Sequence, residues 1–130
     1  RDLTEGKMAY MTDRKRVQGL GSARTGTGHH WTMTVTSVAL LILTPFFLAV
    51  VGGLLGQPYE AVVFSLSRPV PALIVAAFLV VGLHHMRLGM QVLIEDYTSG
   101  LGRKIGLIAT TILCYALAAG GVVALAQIAL

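Results

Sequence analysis

Charge is what this sequence has least of. Of its 130 residues, 12% are Asp, Glu, Lys or Arg, against roughly 25% in an ordinary soluble domain. So few charges cannot cover a surface that faces water on all sides. Cysteine is nearly absent as well. The single Cys114 excludes an intrachain disulfide and a cysteine-based metal cluster. Alternating strands of about ten residues are missing, which excludes an outer-membrane barrel. What is plentiful is apolar: 55% of residues are hydrophobic and the mean hydropathy is +0.73, which excludes disorder. The length allows one domain at most. The net charge is +4, but the basic residues gather at the ends of apolar runs. That is a membrane pattern and not a nucleic-acid one.

The charge-free stretches set the architecture. No Asp, Glu, Lys or Arg lies between Arg24 and Glu60, between Arg68 and Arg87, or after Lys104. A membrane-crossing helix needs about 20 mostly apolar residues, and helices are the form that satisfies its own backbone in lipid. Three spans are predicted, at about 31–51, 70–93 and 105–128, within a transmembrane domain of residues 31–130. Residues 1–30 form a separate N-terminal segment. The breakers agree. Gly52, Gly53, Gly56 and Pro58 end the first span; Arg68, Pro69 and Pro71 open the second; Ser99, Gly100 and Gly102 precede the third. Pro45 should kink the first span without ending it.

Three crossings put the termini on opposite sides. Arg1, Lys7, Arg14, Lys15, Arg16 and Arg24 share a side with Arg103 and Lys104, while Arg68 stands alone on the other. The positive-inside rule places the basic N-terminal segment in the cytoplasm and the C-terminus in the periplasm. About 30 polar residues precede the first span with no small-residue cleavage signature, so a cleaved signal peptide is not expected. The glycine-rich Gly19–Gly28 lacks a Walker lysine and follows no strand, which argues against a phosphate loop.

The second span carries the chemistry. It reads FLVVGLHHMRLGMQVLIEDY from Phe78 to Tyr97. Polar groups at this depth are costly and usually face a bundle interior, a cavity or a cofactor. His85 lies ten residues before Glu95, about 15 Å along a helix, and so near mid-bilayer. Gly82 and Gly89 lie on the same face, three residues before it and four after. That clears a groove wide enough for a haem whose iron takes an axial imidazole. The same glycines also suit close helix packing, and an intramembrane histidine also serves as a hydrogen-bond partner of a neighbouring helix. His84 points about 100° aside. Asp96 falls close to three turns past His85 and near its stripe. Arg87 points almost opposite to His85, toward headgroups or a neighbouring polypeptide. Tyr97 is either an interfacial belt residue or a hydrogen-bond donor to a quinone carbonyl, with Asp96 as the adjacent proton route. His29, His30 and Trp31 stand at the cytoplasmic interface, the tryptophan as an anchor and the histidines near an acidic group such as a lipid head or a propionate. In the third span Ala116, Ala119, Gly120 and Gly121 suggest close packing, with Cys114 as inert filler.

Taken together, these residues resemble a known family. His85, Gly89 and Asp96-Tyr97 resemble the second-helix signature of the hydrophobic membrane anchor, or D-chain, family of succinate dehydrogenase (complex II). GLGSARTGTGHHW resembles the segment before the first helix in its alphaproteobacterial members. The resemblance runs from about Val17 to the end. It implies an all-α membrane protein forming half of a two-chain anchor bundle in the bacterial inner membrane. The partners it implies are a second anchor chain of the cytochrome b type, an iron–sulfur protein and a flavoprotein carrying FAD. Electrons from succinate would pass through the iron–sulfur clusters to ubiquinone. A haem b would lie between the anchor chains, with one axial histidine from each. His85 matches the haem-iron ligand, Tyr97 the quinone-bonding tyrosine and Asp96 its acid. His29 or His30 matches the histidine near the propionates. One departure stands out: where related chains carry an arginine early in the first helix, this one has Thr34 and Val35. Arg24 or a partner-chain residue then takes that contact. The first ten residues also look longer than in related chains, which makes Met11 a candidate start. Because His29 and His30 lie at the interface, neither can face His85 as a second iron ligand, so a second polypeptide is implied.

Two other readings remain open: a redox-inactive membrane scaffold, and a component of a small proton-coupled transporter with His84, His85 and Asp96 as its relay. A haem band that His85→Ala removes would separate the first reading from both.

Overall fold

A computed structural model describes residue 14 and residues 26–129. The order is α1 (Gly26–Leu54), α2 (Tyr59–Leu66), α3 (Pro69–Tyr97) and α4 (Gly100–Ala129), and no strand occurs among the described residues. Arg24, the other basic residues before Gly26 (Arg14 apart) and Met11 lie outside the described residues. Three helices are long and apolar enough to cross a membrane. They contain the three expected spans and overrun them at both ends. A span is bounded by apolarity, whereas a helix is bounded by its hydrogen bonds, and these continue into the headgroup layer.

α1 stays helical through Pro45. The missing proline N–H leaves the carbonyl of Leu41 without its ladder partner, and one position back Thr44 Oγ1 donates to the carbonyl of Leu40 at 2.6 Å. Thr32, Thr34 and Ser37 likewise donate to carbonyls four residues earlier, those of Gly28, His30 and Met33. This hides each hydroxyl from lipid at little cost to the helix. Gly56 turns the chain at φ 77°, and extended Pro58 leads into α2. This short helix was not expected from the sequence, since its eight residues are too few and too mixed for a span. Extended Arg68 precedes Pro69 at the first position of α3, as the residue before a proline prefers. At the other end extended Thr98 and Gly100, at φ 60°, turn the chain into α4.

α3 is the central helix. It packs against α1 on one side and α4 on the other, and α2 touches both α3 and α4. Only Leu88, Ile94, Cys114 and Ala118 form the buried hydrophobic core among the described residues. Most large apolar side chains face outward, Leu41 with 74% exposed and Leu73 with 68%. That inversion suits lipid and other membrane chains as surroundings. Among the described glycines the tightest approach is at Gly121, where a Cβ would overlap Leu79 Cδ2. Gly106 meets Ile94 in the same way at 3.3 Å. Of the small residues that the sequence singled out in α4, Gly121 lies in this contact, while Ala116, Ala119 and Gly120 are exposed. The true stripe is Gly106, Cys114, Ala118 and Gly121.

Candidate functional site

The site is built on α3, where two adjacent histidines diverge by about 100° and meet different neighbours. His85 faces α1: its Nδ1 lies 2.8 Å from Thr36 Oγ1. His84 faces α4: its Nδ1 lies 3.2 Å from the Tyr115 hydroxyl. Among the described residues no hydrogen bond uses His85 Nε2. Gly89, one turn beyond, opens on empty space, with nothing within 4 Å of where its Cβ would be. Gly82, one turn before, lies under Leu40 Cδ2 at 3.9 Å. The expected groove is therefore open on the Gly89 side and roofed by α1 on the other. Gly82 also borders an apolar cavity of about 360 Å³ lined by Phe47, Phe78, Leu83 and Met86 among others. Phe47 and Phe78, both in its wall, stack on each other with centroids 3.9 Å apart.

Arg87 turns away from His85, as expected. Its guanidinium lies 5.9 Å from the centre of the Tyr115 ring, within reach of a cation–π attraction. Nη2 donates to Gln91 Oε1 at 3.4 Å, and Gln91 Nε2 donates to Glu95 Oε1 at 2.9 Å. These residues follow one another at four-residue spacing, so α3 carries a polar track from Arg87 to its C-terminal end. Arg87 Nε is buried without a partner among the described residues.

On α1, His29 is half-buried and its Nε2 is buried with no partner among the described residues, while His30 is exposed. His29 lies seven residues before Thr36, two turns along nearly the same face. Its orphaned nitrogen thus shares the α1–α3 stripe with the His85 contact, and His30 does not. Trp31 is 68% exposed, as an interfacial anchor would be. Asp96 and Tyr97 end α3, and both are exposed, Tyr97 by 83%. Among the described residues neither the Asp96 carboxylate nor the Tyr97 hydroxyl makes a hydrogen bond. The structure does not bring them to His85, since twelve residues separate Tyr97 from it, about 18 Å along one helix.

A model of the family described as Succinate dehydrogenase/Fumarate reductase transmembrane subunit matches residues 8–124. The chain belongs to this family. It is 46% identical over 123 residues to a succinate dehydrogenase hydrophobic membrane anchor subunit of Paracoccus denitrificans, covering 95% of each chain. A protein of the same description from Rickettsia bellii (strain RML369-C) is 29% identical over 85 residues, 65% of this chain and 67% of that one. No solved structure matches. As a succinate dehydrogenase/fumarate reductase transmembrane subunit, the chain is a multi-pass membrane protein and a component of an oxidoreductase complex.

Three residues of this transmembrane subunit escaped the sequence reading. Thr36 and Tyr115 contact the paired histidines from 49 and 31 positions away, and no local pattern marks such partners. Arg103, read from the sequence only as a topogenic charge, donates through Nη2 to the carbonyl of Glu95 and through Nε to that of Thr98. It thereby caps the C-terminus of α3 and pins the turn that carries Tyr97. A basic residue just past a helix end was the available signal.

Proposed function

We propose that this chain is one half of a two-chain anchor of succinate:quinone oxidoreductase, with one imidazole that would hold a b-type haem and with part of the ubiquinone-reduction site. The observation that carries the reading is His85. It is a half-buried imidazole deep in an apolar helix, with Nε2 unpartnered among the described residues and open space at Gly89 beside it. These residues fit a haem. Iron held by a porphyrin needs one imidazole from this chain and no local cluster of ligands. The orphaned Nε2 of His29 on the same stripe offers a hydrogen bond to a propionate, and His30, being exposed, is the weaker candidate. Arg24 lies outside the described residues.

Haem, when bound, supplies a one-electron carrier in the bilayer. His85 would hold the iron, and the second anchor chain, the cytochrome b-type one, would supply a further histidine. At the cytoplasmic end Tyr97 donates a hydrogen bond to a quinone carbonyl and orients the ring. Asp96 beside it passes protons from water. Ubiquinone takes up two electrons and two protons to become ubiquinol, so its site needs this aqueous path. The exposure of both side chains leaves that path open and leaves a face for a partner to cover. The electrons come from succinate through FAD and iron–sulfur clusters in the soluble flavoprotein and iron–sulfur proteins of the complex. Those proteins dock on the basic cytoplasmic side, which holds residues 1–30 and the start of α4 with Arg103 and Lys104. The N-terminus is cytoplasmic, the C-terminus periplasmic, and the membrane the bacterial inner membrane.

The test is a reduced-minus-oxidised spectrum of the tagged chain purified with its companions. A b-type band is expected in the wild type and lost in His85→Ala, with flavoprotein and iron–sulfur chains present in both. An unaltered band in His85→Ala would overturn the ligand assignment.

A further inference from the structure

The hydroxyl of Thr36 sits among three polar neighbours. Two are carbonyl oxygens, of Thr32 at 2.9 Å and of Met33 at 3.0 Å. The third is His85 Nδ1 at 2.8 Å. A threonine hydroxyl owns one proton and two lone pairs. Carbonyl oxygens can only accept, so the proton goes to them, shared between the two. The lone pairs then face Nδ1, and that nitrogen must bring the hydrogen. The opposite arrangement would aim the hydroxyl proton at a bare Nδ1 and leave two oxygen–oxygen approaches of 2.9 and 3.0 Å with no proton between them. In a half-buried, lipid-surrounded site that is unfavourable. This pattern favours the Nδ1–H tautomer of His85, with the free lone pair on Nε2.

We propose that Thr36 is the positioning residue of His85: its hydroxyl oxygen accepts the Nδ1 proton, selects the tautomer and fixes the ring plane, so that Nε2 is presented to the iron. The inference rests on the haem reading above and deepens it. Metal-binding imidazoles are generally held this way through their second nitrogen. Here the acceptor is a hydroxyl anchored by its own bonds to α1, so the α1–α3 packing sets the direction of the ligand.

The test uses the whole complex, purified in mild detergent, with Thr36→Val, Thr36→Ser, Ser37→Ala and His85→Ala. Thr36→Val keeps the shape and removes the acceptor. It should weaken haem retention about 10- to 100-fold, raise the haem midpoint potential through a less electron-rich imidazole, and shift the largest g value of the oxidised haem as the ring turns. Thr36→Ser should restore all three. Ser37, whose hydroxyl meets only the Met33 carbonyl, should be silent as alanine. Succinate oxidation by a soluble acceptor should be unchanged in Ser37→Ala. Wild-type haem retention, potential and g value in Thr36→Val, with haem lost in His85→Ala, would overturn this inference and leave the haem reading standing. Haem retained in His85→Ala would overturn both. If Thr36→Val fails to assemble while His85→Ala assembles, Thr36 serves helix packing and the inference is wrong. If both fail, Thr36→Ser with a wild-type spectrum supports it and Thr36→Ser without haem overturns it.

Discussion

Gly121 offers the sharpest test of how α3 and α4 meet. In Gly121→Ala the new methyl stands 2.2 Å from Leu79 Cδ2, 3.5 Å from Cγ and 3.7 Å from Cδ1. Carbon atoms rest at about 3.5–4.0 Å, so the first contact overlaps by more than about 1 Å. Two responses are available. Leu79 can leave its rotamer, at about 0.5–1.5 kcal/mol for a turn of some 30°, or the helices can part and lose contacts along Cys114 and Ala118. Overpacking of this kind typically costs about 1–3 kcal/mol, a factor of roughly 5 to 150 in the folding equilibrium. Opposing it, alanine is the better helix former by about 1 kcal/mol. The adjacent Gly120 isolates that gain, because nothing lies within 4 Å of its Cβ position. Relative to Gly120→Ala, then, Gly121→Ala should be less stable by about 1–3 kcal/mol. The assay is thermal denaturation of the purified complex in mild detergent, followed by circular dichroism, in wild-type and Leu79→Ala backgrounds. The difference should vanish once Leu79 is alanine, since the two residues then no longer touch. Equal stability of the two glycine variants in the wild-type background would refute the reasoning.

Other perturbations bear on the site. Tyr97→Phe should lower ubiquinone reduction while succinate oxidation by a soluble acceptor persists; steady-state rates with the two acceptors decide this, and equal loss of both would count against a quinone role. Gly89→Leu should fill the open space beside His85 and reduce the haem content per flavin, measured spectrophotometrically, whereas Gly53→Leu, equally open but remote, should not. Tyr115→Phe removes the partner of His84 and should destabilise the α3–α4 pair by about 0.5–1.5 kcal/mol, read as a lowered melting midpoint with the haem spectrum unchanged.

The spans were legible because lipid imposes a simple rule of length and charge. Their contacts were not. A helix in lipid is apolar toward its neighbours and toward acyl chains alike, so no amphipathic pattern tells which face of α3 meets α1. The Ala- and Gly-rich α4 illustrates this. Small residues line several of its faces, and only Leu79, on another helix, determines that Gly121 matters and Gly120 does not. The divergence of His84 and His85 followed from helical geometry. The choice between His29 and His30 did not, because it depends on which side α3 approaches. α2 escaped because eight residues after a proline leave no signal that lipid would enforce.

The tandem imidazoles of α3 also bear on how this helix tolerates change. Insert one residue between Leu79 and Leu83, and everything beyond rotates by about 100° and advances by about 1.5 Å. His84 then occupies the bearing that His85 held toward Thr36, and Leu83 turns to Tyr115. A slip of one position exchanges which ring serves the first helix without leaving that side bare of nitrogen. The duplication thus keeps a nitrogen on that side, but Leu88 takes the place one turn beyond it that Gly89 held, so such a slip forfeits the open groove as well as the tyrosine contact on the far side.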